Sequence, residues 1–153
     1  MTEIYKTRRL KIVSSIFIAI IIIGFITLRT PDYNYTLTVE QTINGLSLTE
    51  NAVNASEAFK LMASNNNKCL FLDVRNPHEF LTNHIENSIN IPASEILKEE
   101  NFNYFRKMDQ ENISIIIYGN DALQANGARM LLNQLGISNV KLLTVGFNTL
   151  LQV

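Results

Sequence analysis

The hydrophobic positions of this chain fall into two unlike patterns. From Ile12 to Leu28 a run of seventeen residues, IVSSIFIAIIIIGFITL, carries no charge and no polar stripe. As a helix it would rise roughly 26 Å at about 1.5 Å per residue, close to the apolar thickness of a bilayer. Beyond residue 50 the apolar positions come instead in short bursts with two different periods. Ala55, Ala58, Phe59 and Met62 make an i, i+3, i+4, i+7 stripe behind Asn54 and Glu57, which resemble a capping box. That helix is expected to end at a turn over Asn65-Asn66-Asn67. Cys69 to Val74 reads as a buried strand and Ser88 to Ile91 as a second, closed by Pro92. Residues 93–110 read as helical, with Ile96, Leu97, Phe102 and Phe105 offered to a core. Ile113 to Tyr118 is nearly continuous in β-branched residues, as a central parallel strand covered on both faces should be. A helix follows with Ala125, Ala128, Leu131, Leu132 and Leu135 on one face and Gly136 as its stop, and Val140 to Leu143 is a last strand.

Strands alternating with helices predict an α/β fold, a small and mostly parallel sheet with helices on both faces, preceded by one transmembrane helix. The expected division is a basic tail over 1–11, a membrane helix over 12–28, a linker over 29–50 and the globular domain over 51–153. Within the linker, Tyr35, Leu37 and Val39 alternate with Thr36, Thr38 and Glu40, which fits either a short strand or a tether. The chain's 153 residues suffice for one domain of this kind.

Charge sharpens the division. The formal net charge is −1. Lys6, Arg8, Arg9 and Lys11 precede the apolar run, whereas eight Lys/Arg against thirteen Asp/Glu follow residue 31, a net of −5. The positive-inside bias then places the N-terminus in the cytoplasm and the acidic domain outside it, periplasmic or on the cell surface. A cleaved signal peptide shares the basic start and apolar stretch, but Thr27-Leu28-Arg29-Thr30-Pro31 offers no small-x-small cleavage pattern. The acidic domain has no basic footprint for nucleic acid. One cysteine excludes an internal disulfide and any multi-cysteine metal site.

In an open α/β sheet ligands bind beyond the carboxyl ends of the strands. The binding-loop candidates are therefore Gly119, Asn120, Asp121, Ala122, Leu123 and Gln124, after the central strand, where a helix start would favour a small anion. Asp73 is expected to cap the turn after its strand, Arg75 to pair with Glu79, and His84 to bond to backbone, all as structural residues. His78 and His84 lack the i, i+4 spacing of a helical metal site, so no metal and no cofactor is expected. Cys69, with Leu70 and Phe71 beside it at the start of its strand, reads as a buried inert thiol; a reactive or intermolecular thiol is the other reading.

Several of these pieces also occur together in a known pattern. Leu72-Asp73-Val74-Arg75-Asn76-Pro77-His78-Glu79-Phe80, then His84-Ile85, then Ser88-Ile89-Asn90-Ile91-Pro92 resembles the rhodanese-like domain. The likeness continues through the Ile113–Tyr118 strand, the Leu131 to Gly136 helix end, and Val140 to Leu142 followed by Gly146-Phe147, over roughly residues 52–150. The resemblance implies the family's fold and, for its enzymes, sulfane-sulfur transfer through a persulfide on a cysteine that directly follows the central strand. Counted back from Gly136, that cysteine falls on Gly119. The family's basic loop residue falls near Gln124 and its small hydroxyl residue on Ala125. Between Tyr118 and Arg129 there is no Lys or Arg, and Asp121 adds a negative charge. A persulfide site needs a low-pKa thiolate in electropositive surroundings. The expectation is thus a degenerate, membrane-anchored domain that recognises a protein partner or small ligand; the alternative is a sulfurtransferase using Cys69 or a partner's thiol.

Overall fold

The computed structural model describes residues 2–27, 35–44, 51–64 and 68–152. It divides into two units, residues 1–33 and 34–153. The first contains helix α1, Thr2–Thr27. Its stretch Arg8–Thr27 is long and apolar enough to cross a membrane, features that a signal sequence near an N-terminus also has. Twenty residues rise about 30 Å in a helix, a full hydrocarbon thickness. At the far end the Thr27 hydroxyl donates back to the Ile23 carbonyl at 2.8 Å, covering an acceptor of the last turn. Leu28 and the expected stop at Pro31 lie outside the described residues, as does the turn at 65–67.

The second unit carries five strands, β1 (Ala52–Val53), β2 (Cys69–Asp73), β3 (Ile89–Asn90), β4 (Ser114–Tyr118) and β5 (Val140–Leu143), in the order β1-β5-β4-β2-β3. Every pairing is parallel. Among the described residues six helices accompany them: α2 (Val39–Asn44), α3 (Ala55–Ala63), α4 (Pro77–Thr82), α5 (Glu99–Gln110), α6 (Ala122–Gln134) and α7 (Phe147–Leu150), with a 3-10 turn at Ala93–Glu95. The α/β reading of the sequence is therefore correct.

Strand alternation splits the core into two layers, because successive side chains leave opposite faces of a sheet. Leu72, Ile115, Ile117, Val140 and Leu142 pack with Phe105 of α5 and Ala125, Ala128 and Leu132 of α6. Phe71, Ile116, Tyr118 and Leu143 face the other way, onto Ala58 of α3 and Phe147 and Leu150 of α7. That two-sided burial is why β4 is apolar at every position from Ile115 to Tyr118, all fully buried.

Local chemistry sets the helix ends. Asn54 accepts from the Glu57 amide at 2.9 Å to start α3, and Asn76 with Glu79 forms a complete capping box for α4, with Pro77 in its first turn. α6 ends in a Schellman motif: Ile137 N–H donates to Leu132 and Gly136 N–H to Asn133, with Gly136 at φ +89°. The segment at 35–44 forms no strand. Thr38 and Gln41 exchange side-chain and backbone hydrogen bonds at 3.3 and 2.8 Å, a second capping box, and the chain enters α2 instead. Just before it, Thr36 N–H donates to the Gln134 carbonyl at 2.8 Å, so this segment is fastened to the end of α6.

Candidate functional site

The carboxyl edge of the sheet is organised around one buried ion pair. Asp73 ends β2 fully buried and Arg75 is 4% exposed. Arg75 Nε and Nη2 donate to the Asp73 carboxylate at 3.0 and 2.7 Å, and Asp73 Oδ1 also accepts the Arg75 amide at 2.8 Å. Asp73 therefore caps the turn after its strand. The expected Arg75–Glu79 pair is replaced by this one. A carboxylate buried at a strand end requires a cation, and a planar guanidinium two residues on reaches it with two parallel bonds. Burial opposes the Arg75 charge, but the hydrogen bond and charge of Asp73 outweigh it and raise its pKa. Arg75 also donates to the Asn83 carbonyl at 2.7 Å and lies 3.9 Å over the Phe147 ring. Its charge is thus neutralised by Asp73, and its donors face inward.

The neighbouring strand β4 ends at Tyr118, opposite Asp73. The Tyr118 hydroxyl accepts from the Ile85 amide at 3.2 Å and shares a 2.9 Å hydrogen bond with Ser88, tying β4 to the segment before β3. Burial pushes its pKa up to about 12, against the opposing hydrogen bonds of Ser88 and Ile85. Asn90 closes the edge, donating to the carbonyls of Asp73 and Arg75 at 3.0 Å each.

Directly after Tyr118 comes the candidate loop. Gly119 is buried, Asn120 and Asp121 are exposed, and Ala122, Leu123 and Gln124 form the first turn of α6. Asp121 is its N-cap, accepting the Gln124 amide at 2.8 Å. The Gln124 side chain turns back, and its Oε1 accepts the Asn120 amide at 2.8 Å. Asn120 Nδ2 donates to Glu79 Oε1 at 2.8 Å, joining the loop to the start of α4. From the other side Phe147 N–H donates to the Gly119 carbonyl at 3.0 Å. Gly146 packs so closely that a Cβ there would lie 2.1 Å from the Asn120 carbonyl oxygen.

A family model for the rhodanese-like domain matches residues 54–152. The chain belongs to the rhodanese-like domain family. A rhodanese-related protein of Thermoplasma volcanium is similar in structure, with a TM-score of 0.53 at 25% identity, over 66% of this chain and 90% of that one. The rhodanese-like domain of an Anabaena protein has a TM-score of 0.57 at 19% identity, over 68% and 75% of the two chains. In sequence, the adenylyltransferase and sulfurtransferase UBA4 of Candida glabrata is 37% identical over 100 residues, 55% of this chain and 20% of the relative. The chain thus spans about a fifth of that curated relative's length.

In this rhodanese-like domain the loop lacks both a thiol and a cation of its own. Cys69 lies at the opposite end of β2, paired with Ser114, four residues before Asp73. At about 3.3 Å per residue that is roughly 13 Å from the carboxyl edge. Burial pushes its thiol pKa up, with Lys141 opposing. His84 Nδ1 bonds the Phe80 carbonyl at 2.8 Å and its ring stacks on Phe80, 4.0 Å between centroids. Among the described residues no group of three or more His, Cys, Asp and Glu is placed to hold a metal. Sequence reasoning missed Gly146, Phe147 and Tyr118 as the supports of the loop. Gly146-Phe147 entered only as part of the resemblance, and nothing local marks a contact made with residues more than twenty positions away.

Proposed function

We propose that this is a membrane-anchored, extracytoplasmic rhodanese-like domain that recognises a partner or small ligand and does not transfer sulfur. The observation that carries the reading is the content of the loop after β4. Gly119 falls where the family's enzymes place their cysteine, and the Asn120 and Gln124 amides bond to Gln124 Oε1 and Asp121 Oδ1. A sulfane-sulfur acceptor requires a thiolate stabilised by donors and positive charge. Here the negative Asp121 stands at the helix start and Arg75 is bound to Asp73. Anchoring is supported by the apolar stretch Arg8–Thr27, and the outward orientation by the basic residues that precede it.

The test is thiosulfate:cyanide and persulfide-transfer turnover by the full chain in detergent micelles, beside Cys69→Ala. No turnover above the protein-free rate is expected from either. Turnover that survives Cys69→Ala refutes the inactive reading. Turnover abolished by it establishes the second reading, a sulfurtransferase using Cys69, which the name of the Candida glabrata relative favours. Protease added to sealed, right-side-out vesicles should digest the domain; full protection overturns the orientation.

A further inference from the structure

We propose that the Gln124 carboxamide is a built-in occupant of the loop, filling the space of a side chain at residue 119, so that residues 119 and 124 form one coupled pair. Gly119 does not occupy the left-handed region where glycine is favoured, so its backbone does not demand a glycine. Space does. A Cβ at residue 119 would lie 2.6 Å from Gln124 Oε1 and 3.3 Å from Gln124 Cδ, while its next neighbour, Val74 Cγ2, would be at an ordinary 3.4 Å. What bars a side chain at 119 is therefore the end of one glutamine.

That glutamine is held where it is. Its Oε1 takes the Asn120 N–H at 2.8 Å, its own N–H is taken by Asp121, and Asn120 is anchored in turn by Glu79. Two backbone donors of the β4–α6 connection are thus satisfied from inside the chain. The inference goes beyond the binding reading and stands whether or not a ligand is found. The contact is steric: a side chain at residue 119 must first displace the Gln124 carboxamide.

The experiment compares the full chain in detergent micelles with Gly119→Ala, Gln124→Ala and the double variant, following thermal unfolding of the domain by calorimetry. In the parent background Gly119→Ala displaces the carboxamide and frees the Asn120 amide, lowering Tm by about 1–5 °C after the gain from restricting the unfolded chain is set against the loss. In the Gln124→Ala background the same change meets no obstacle and leaves Tm unchanged or raises it, since alanine restricts the unfolded chain. A reversal or loss of the Gly119→Ala effect supports the pair. Equal lowering in both backgrounds overturns it. If Gly119→Ala fails to fold alone, refolding of the double variant supports the pair and its failure overturns it. Amide exchange at Asn120 supplies the second reading. It should accelerate at least fivefold in Gln124→Ala, and an unchanged rate refutes the hydrogen bond on which the inference rests.

Discussion

Replacing Gly146 by alanine tests how tightly the loop after β4 is clamped. Gly146 has φ −69° and ψ 155°, a conformation open to any residue, so a new side chain adds no backbone strain. The whole penalty comes from space. The added Cβ would lie 2.1 Å from the Asn120 carbonyl oxygen, 2.9 Å from its carbon and 3.2 Å from Asp121 Cα, all backbone atoms. An ordinary contact of 3.4 Å requires the loop to retreat by about 1.3 Å, comparable to the overpacking that costs about 1–3 kcal/mol in protein cores. Retreat also strains the bonds from Phe147 N to Gly119 O and from Asn120 Nδ2 to Glu79 Oε1, each worth about 1 kcal/mol. The total is about 3–5 kcal/mol, a fall in Tm of about 12–40 °C for a domain of this size. Gly127→Ala provides the opposite sign. Gly127 lies in α6 with nothing within 4 Å of an added Cβ, and the gain in helix propensity of about 1 kcal/mol should raise Tm by about 4–8 °C. Calorimetry of both variants decides. A Gly146→Ala midpoint within 2 °C of the parent refutes the clamp.

Three further outcomes follow from the strand edge. Asp73→Asn leaves the Arg75 guanidinium buried without its counter-charge and should destabilise the domain by about 3–5 kcal/mol in denaturant titrations; a loss under 1 kcal/mol would mean that Arg75 reaches water. Tyr118 gives a signature in alkali. Its folded pKa is pushed up to about 12 from the ordinary 10, so the unfolded chain loses the proton first. The contribution is fully present below pH 10 and disappears as pH rises toward 12, about 3 kcal/mol in all. Tyr118→Phe should flatten the fall in stability between pH 10 and 12, and an identical slope in the variant would show that the phenol is solvated. Finally, the raised pKa of Cys69 predicts alkylation by iodoacetamide at pH 7.5 several times slower in the folded chain than in denaturant; equal rates would revive a reactive thiol.

The sequence carried the framework wherever a pattern was local. β4 was legible because a strand covered on both faces is apolar throughout, and the end of α6 because a Schellman motif favours glycine at the residue with φ +89°. α2 was misread even though its signal was present. Thr38 and Gln41 have capping-box spacing, but the alternation from Tyr35 to Glu40 offered a competing period of two. The partner of Arg75 was misassigned for a related reason. A spacing of four suggests a helical pair with Glu79, whereas the strand end lets the guanidinium fold back onto a carboxylate two residues away. Gly146 was legible only as part of the resemblance, since its meaning is a backbone approach to Asn120 that only the assembled fold creates.

The end of a parallel sheet is chemically potent when it leaves backbone donors and positive charge unpaired, and here three of the groups that could serve are already engaged. Arg75 is committed to Asp73, the Asn83 carbonyl and the Phe147 ring. The Asn120 amide is committed to Gln124 and the Gln124 amide to Asp121. A ligand that takes these donors exchanges hydrogen bonds instead of adding them, so its net gain from them is small, as for any hydrogen bond traded against an existing one. On the binding reading proposed above, recognition at this end of the fold falls to the outer surface of the loop. There Leu123 projects from the first turn of α6 at 78% exposure, an apolar group beside the polar Asn120 and Asp121. Burying its side chain against a partner would contribute about 2 kcal/mol, more than an exchanged hydrogen bond offers. The binding reading thus calls for a protein surface before a free anion, and Leu123→Asp is the substitution that should separate them: it abolishes capture of a protein partner and leaves the interior of the loop unchanged.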